Sequence, residues 1–152
     1  MDKRAEFSAA LKEALHGRDE VKVATLRLIM AALKDRDINA RTENKPDGIS
    51  DSEILSMLQS MIKQRTESAE TYRNADRMDL AVREEQEIAI IKSFLPQQMG
   101  EDEISSKIDA LITETGASNI KDMGKVMAEL KTRYAGQLDM SRASGMVKEK
   151  LG

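Results

Sequence analysis

The chain has 152 residues, no cysteine and a formal net charge of −3 at pH 7. The lack of cysteine excludes disulfides, thiolate catalysis and cysteine-ligated zinc or iron–sulfur sites. With two Phe, two Tyr and no Trp, the chain lacks the aromatic side chains of a sandwich, a barrel or an RNA-binding sheet. Leu, Ile, Met, Ala, Glu and Lys dominate and favour helices. The composition therefore predicts an all-α protein.

Four helices are predicted in the first part of the chain, at about residues 2–16, 19–40, 50–74 and 80–95. Gly17 ends the first of them and Pro96 ends the fourth. The centre of the second helix, residues 23–33, is apolar nearly all round. Such a pattern is typical of a helix that is buried on most sides.

Three shorter helices are predicted after Pro96, at about residues 101–114, 122–134 and 141–151. Glycines at positions 116 and 136 end the first two. The change from long to short helices predicts two domains. Residues 1–96 would form a four-helix bundle-like module, and residues 97–152 a small three-helix module.

Charge is unevenly distributed in the second module. Residues 97–120 carry five acids and one base, a net charge of −4, whereas residues 121–152 carry seven bases and four acids, a net charge of +3. An acidic helix is thus followed by a basic end.

The basic end has two interpretations, a solvated lysine-rich surface or a contact with nucleic acid. Lys121 and Lys125 are one helical turn apart and so share a face. Together with Arg133 and Arg142, they can flank a helix start, where backbone amides also attract phosphate. These four residues are candidates for RNA binding.

The third and fourth helices each carry a Glu-x-x-Glu pair near the inner face. A carboxylate-bridged metal centre in a bundle normally needs Glu-x-x-His pairs, and the single histidine, His16, is far away in the sequence. We therefore predict no metal site, no cofactor and no catalytic residue. The charges are expected to form a structural network that fixes the register of the helices. Its members are Arg27, Arg65, Glu84 and Glu87.

Four groups of segments, in order along the chain, carry a resemblance to a known family. They are Thr25–Lys34 with Asp37-Ile38, Lys63–Tyr72 with Arg77–Ala81, Glu84-x-x-Glu87-Ile88 with Phe94–Met99, and Met123–Met127 with Gly136, Asp139 and Val147-Lys148. Together they resemble the YqeY-like family over essentially the whole chain.

That family resembles the C-terminal tail of GatB, a component of the aspartyl/glutamyl-tRNA amidotransferase. The tail is a mobile helical appendage that engages tRNA, and glutamine hydrolysis and transamidation take place elsewhere in that enzyme. The resemblance places Gly124 and Lys125 at a helix start, where Gly124 allows a backbone to approach closely and Lys125 supplies charge. Gly124 therefore joins the candidates for RNA binding.

Three functions remain open. The first is a module that binds tRNA or another structured RNA, without DNA specificity and without catalysis of its own. The second is an accessory component of a carbon–nitrogen ligase with glutamine as amido-N-donor, such as an amidotransferase. The third is a protein–protein interaction module without an RNA role. Since the N-terminus has no apolar signal sequence and no run approaches the roughly 20 apolar residues of a membrane span, a cytoplasmic protein without membrane contact is expected.

Overall fold

The computed structural model describes residues 2–152 and confirms the all-α prediction, since these residues form helices and no β-strand. A single 3-10 turn, Ile120–Asp122, precedes α6. The α-helices are α1 (Lys3–His16), α2 (Glu20–Thr42), α3 (Asp51–Asn74), α4 (Met78–Lys92), α5 (Glu101–Thr115), α6 (Met123–Arg133) and α7 (Met140–Leu151).

The helices divide into two compact units, an N-terminal unit that ends at Leu95 and a C-terminal unit from Pro96 to Gly152. Each unit has an apolar core of its own. In the N-terminal unit, α1–α4 bury a core that includes Phe7, Leu26, Ile29, Ile54, Met57, Leu58 and Ile91. In the C-terminal unit, α5–α7 bury a core that includes Ile104, Ile108, Leu111, Val126, Leu130 and Val147.

Side-chain caps fix several of the helix starts that the sequence predicts. At the start of α3, the amide of Glu53 donates to Ser50 Oγ at 3.2 Å, and the amide of Ser50 donates to Glu53 Oε1 at 3.3 Å. This capping box satisfies two amides that have no partner within the helix. At the end of α5, Gly116 adopts a left-handed conformation with φ of 70°, which glycine tolerates without steric cost.

Asp37 fastens the loop between α2 and α3 to α1. Its carboxylate accepts hydrogen bonds from Arg4 Nη2 at 2.6 Å and from the amide of Ile49 at 2.9 Å. Burial raises the pKa of Asp37, but the bonds from Arg4 and Ile49 outweigh this effect and hold the pKa below its usual range. Gly48 has φ of 83°, and a Cβ at this position would collide with the Asp37 carboxylate. The loop therefore requires glycine there.

Helix α4 ends at Lys92, three residues before the predicted end at Leu95. The residue before a proline avoids helical dihedrals, so Pro96 disfavours a helical conformation at Leu95. The Phe94 ring packs edge-to-face on Phe7, with centroids 5.1 Å apart. Lys3 Nζ donates to the Phe94 carbonyl at 2.7 Å. These contacts join the end of α4 to α1.

Helix α2 is less buried than its apolar centre predicts. Leu26, Ile29 and Leu33 are buried, but Leu28 and Ile38 are each 46% exposed. The buried residues lie on one side of the helix, where its neighbours in the bundle pack. The prediction of burial on most sides is therefore wrong, because the other helices of the unit contact α2 but leave Leu28 and Ile38 uncovered.

The charged residues of α3 and α4 form a compact cluster around Glu87, whose exposure is 9%. Arg65 Nε donates to Glu87 Oε2 at 3.1 Å, and Arg83 Nε donates to Glu87 Oε1 at 3.3 Å. Arg27 is exposed and forms no ion pair with any residue in the described range 2–152. The structure thus brings Arg65 and Glu87 together, with Arg83 in the position that the sequence analysis gave to Arg27.

Glu84 lies one turn before Glu87 and is half-buried. Burial and the charge of Glu87 raise the pKa of Glu84, against the opposing effect of Arg65 and Arg83. The folded protein therefore holds the Glu84 proton more tightly than the unfolded chain does. As the pH rises from below the unfolded pKa to above the folded one, ionisation of Glu84 lowers the stability, and this loss persists at neutral pH.

Glu87 and Glu84 should consequently respond in opposite ways to substitution. We expect Glu87→Ala to lower the free energy of unfolding by about 3 kcal/mol, because it leaves the half-buried Arg65 without its carboxylate. Glu84→Gln should leave stability at pH 7 unchanged or raise it, and its effect should shrink at low pH. Urea denaturation at pH 7 and pH 4 measures both. Equal losses for the two variants at pH 7 would contradict this account.

Candidate nucleic-acid interface

Local hydrogen bonds shape the segment that leads into α6. The amide of Ser118 donates to the Asp122 carboxylate at 3.0 Å, and the amide of Lys121 donates to Asn119 Oδ1 at 2.9 Å. The bond from Ser118 lowers the pKa of Asp122 below its usual value, with a smaller contribution from Lys125. Asp122 is thus directed back towards Ser118. Among the described residues, no side chain caps the first amides of α6.

The candidates at the start of α6 lie on an exposed surface, which we call the α6 entry and define as Ile120, Lys121, Gly124 and Lys125. Both lysines are exposed, and neither forms an ion pair with a residue of the described chain. Ile120 is 46% exposed. A Cβ at Gly124 would meet no atom of the described structure within 4 Å. The helix start is therefore open to an approaching group.

Arg133, in contrast, is held by two acids. Its guanidinium donates from Nη1 and Nη2 to the Glu114 carboxylate at 2.9 and 2.6 Å, and Nε lies 2.9 Å from Glu129 Oε2. Hydrogen bonds with Glu114 raise the pKa of Arg133 and lower that of Glu114. A bidentate pair of this kind fixes the orientation of the guanidinium. Arg133 therefore offers little free charge to a ligand.

Arg142 is also paired with an acid of α5. It donates to Glu101 at the start of α5, and Lys150 Nζ donates to Asp109 Oδ1 at 2.8 Å. With Arg133–Glu114, three pairs join α5 to α6 and α7. The acidic helix and the basic end thus neutralise each other within the C-terminal unit.

The structure accordingly brings three of the five candidates together and separates the other two. Lys121, Gly124 and Lys125 share the α6 entry, whereas Arg133 and Arg142 serve as partners of α5 acids. Sequence reasoning missed Ile120, whose exposure becomes visible only in the fold. The spacing of Asn119 and Asp122 was an available signal, because these residue types form local turns before helices.

The carboxylates of α3 and α4 do not form a metal site. Both oxygens of Glu87 accept hydrogen bonds from arginines. Within residues 2–152, no three His, Asp or Glu side chains converge in a way that could hold a metal ion. The charged side chains of α3 and α4 pair with one another, as Arg65 and Arg83 do with Glu87.

Glycines 124 and 145 lie inside helices where the structure would accept a side chain. A Cβ at either position meets nothing within 4 Å in the described chain. Because glycine is less favourable than alanine inside a helix, we expect Gly145→Ala to stabilise the protein by about 0.5–1 kcal/mol. Gly124→Ala, nearer the helix start, should stabilise by a similar or smaller amount. Denaturant titration measures both, and a loss of stability in either variant would contradict the open space at that position.

Several curated fungal proteins are similar to this chain. The relatives from Lachancea thermotolerans, Pyrenophora tritici-repentis and Vanderwaltozyma polyspora are each named "Altered inheritance of mitochondria protein 41, mitochondrial". The Lachancea protein is 31% identical over 121 residues, 78% of this chain and 63% of the relative. The Pyrenophora protein is 30% identical over 151 residues, which are 96% of this chain and 79% of the relative. The Vanderwaltozyma protein is 28% identical over 106 residues, which are 68% of this chain and 55% of the relative. The chain therefore spans less than two thirds of the first and the third of these relatives.

These names overturn the prediction of a cytoplasmic location, because the relatives are named as mitochondrial proteins. The prediction was based on the lack of an apolar signal sequence and of an apolar run long enough to span a membrane. Neither feature distinguishes one aqueous compartment of the cell from another. In the described range 2–152, no helix has both the length and the apolar character needed to cross a membrane.

A family model described as "Yqey-like protein" matches residues 4–151. The match runs from α1 to α7 and includes the whole α6 entry. It agrees with the four groups of segments from which the sequence resemblance was drawn. The chain belongs to the YqeY-like family.

Proposed function

We propose that this protein is a helical RNA-binding module whose C-terminal unit contacts the tRNA backbone at the α6 entry. One observation carries the proposal. Lys121 and Lys125 are exposed, unpaired within the described residues and adjacent to the open start of a helix. The arginines of the same unit that face α5 are neutralised by its acids.

The geometry of the α6 entry favours an anionic backbone. The start of a helix carries the positive end of its dipole and therefore attracts phosphate, although at α6 the amide of Met123 already donates to the Ile120 carbonyl. Lys121 and Lys125 add two full charges beside this end of the helix. Gly124 has no side chain to hold a phosphate or a ribose away from the helix. These features act on the same small area.

The charge balance of the unit predicts a local and salt-sensitive contact. Residues 96–152 carry eight bases and nine acids, a net charge of −1, so the unit has no broad basic face. Contacts with phosphate fix the position of a protein on a nucleic acid but do not read its sequence. We therefore expect recognition by backbone shape, with a dissociation constant on the order of 10⁻⁶–10⁻⁴ M at physiological salt.

Charge reversal at the α6 entry tests the proposal. The double variant Lys121→Glu/Lys125→Glu should bind fluorescently labelled tRNA at least about tenfold more weakly at low salt, because two phosphate contacts become repulsive. The slope of log affinity against log salt should decrease in magnitude by about 1.4–1.8, the release of counterions from two phosphates. Fluorescence anisotropy from about 50 to 200 mM salt covers the range in which this dependence is steep.

The matched control reverses two exposed lysines of the N-terminal unit, Lys12→Glu/Lys63→Glu, and changes the net charge by the same amount. Its affinity should stay within about twofold of the parent protein, since neither lysine belongs to the α6 entry and charges that do not contact the RNA are screened by salt. The proposal fails if the parent protein binds no tRNA at low salt. It also fails if both double variants weaken binding equally, since binding would then depend on net charge alone.

The two helical glycines provide an independent test of close approach. Gly124→Ala should weaken tRNA binding roughly fivefold, equivalent to about 1 kcal/mol, because a methyl group keeps the backbone away from the helix start. Gly145→Ala, which is equally free of neighbours, should leave the affinity unchanged. The same anisotropy titration measures both. Equal affinities for the two variants would show that the ligand does not approach Gly124.

A further inference from the structure

The outward side of α2 carries a row of unpaired cations. Arg27, Lys34 and Arg41 follow one another at intervals of seven residues, and all three are exposed. None of them forms an ion pair with a residue of the described chain. Seven residues are nearly two turns and about 10.5 Å of helix. The three cations therefore lie along one side of α2 over about 21 Å.

A row of apolar residues runs beside the cations. Ala24, Ala31 and Ile38 also recur at seven-residue intervals, each three positions before a cation. Residues three apart are neighbours on a helix surface. Ile38 is 46% exposed and Ala31 is also exposed. This face of α2 thus combines apolar side chains with positive charge.

On the other side of the cation row lies a groove between α1 and α2, with a volume of about 310 Å³. Phe7, Met30 and Leu33 form its apolar floor. Lys34 and Arg41 stand at its edge. Ile38 of the apolar row also lines the groove, so the row and the groove meet at this residue, with Lys34 and Arg41 beside them.

We propose that this surface, the α2 face, docks an amphipathic α-helix of another protein that carries acidic residues at seven-residue spacing. None of the three cations of the α2 face forms an ion pair with a described residue, and Arg41 interacts with Asp37 only through its charge. The one carboxylate that lines the groove, Asp37, is already bonded to Arg4 and Ile49. Three unpaired cations in a row are complementary to a row of carboxylates, and the apolar groove accepts aliphatic side chains between them.

The seven-residue interval itself favours a helix as the occupant. Two helices that cross at about +20° keep their contacts in register only when the contacting residues repeat every 3.5 positions on average. Both rows of the α2 face have this repeat. A phosphate backbone satisfies the cations but gains nothing from Ile38 or from the floor of the groove. The α2 face belongs to the N-terminal unit, so this inference goes beyond the RNA contact proposed for the C-terminal unit.

Two synthetic helical peptides of 21 residues, an acidic and a basic probe, test the proposal with the full chain. Both have Leu at heptad positions a and d, and they carry Glu or Lys at e and g. We expect the acidic probe to bind with a micromolar dissociation constant in fluorescence anisotropy, and the basic probe to bind at least tenfold more weakly. The variant Arg27→Glu/Lys34→Glu/Arg41→Glu should reverse this preference, because it changes the sign of the row.

A control with the same change in net charge, Lys12→Glu/Lys63→Glu/Lys148→Glu, should keep the preference for the acidic probe. Circular dichroism establishes that both triple variants remain helical. Ile38→Ser, at an exposed position, should weaken binding of the acidic probe about fivefold without loss of helicity of the protein.

Three results would overturn the proposal. Equal binding of the two probes would show that charge complementarity does not determine what binds to the α2 face. Loss of tRNA binding in the α2-face variant, without binding of the acidic probe to the parent protein, would assign the face to RNA. A dimer in sedimentation that Ile38→Ser dissociates would assign it to a second copy of this chain. None of these results depends on whether Lys121 and Lys125 bind RNA.

Discussion

The pairing of α5 with α6 and α7 determines the electrostatics of the C-terminal unit. Three ion pairs, Glu114–Arg133, Asp109–Lys150 and Glu101–Arg142, join an acidic helix to basic ones. Each pair is exposed and adds little to stability by itself. Their combined effect is on the distribution of charge, because they neutralise three of the seven bases in residues 121–152. The positive charge that remains beside a helix start is that of Lys121 and Lys125.

The N-terminal unit follows the same rule. Two carboxylates that are shielded from water are paired, Glu87 with Arg65 and Arg83, and Asp37 with Arg4. The network around Glu87 joins α3 to α4, and Asp37 joins the loop after α2 to α1. Arg27, Lys34 and Arg41, which form no ion pair with a described residue, lie on the outward side of α2. The α6 entry and this side of α2 are two exposed basic surfaces of different character, one at a helix start and one along an apolar groove.

The sequence predicts the helices well because their signals are local. The capping box at Ser50 and the left-handed Gly116 involve contacts within a few residues. The partners of the charged residues are not predictable in this way. Arg133 and Glu114 are 19 residues apart, and Arg142 and Glu101 are 41 apart, so only the packing of α5 against its neighbours brings them together. Packing also explains why Arg65 of α3, rather than Arg27, reaches Glu87, and why one side of α2 is exposed although its centre is apolar nearly all round. Arg83 is four residues before Glu87 on α4, so this pair has a local spacing that the sequence shows.

The most direct test of the account is hydrogen–deuterium exchange of the full chain, followed by mass spectrometry, with and without tRNA. The account predicts slower exchange of amides in residues 119–126, at the start of α6, and little change along α5, which offers a phosphate backbone no unpaired arginine or lysine of the α6 entry. Protection centred on α5 or on α2, or no protection at tRNA concentrations that saturate binding, would contradict the claim that the α6 entry is the RNA-binding surface.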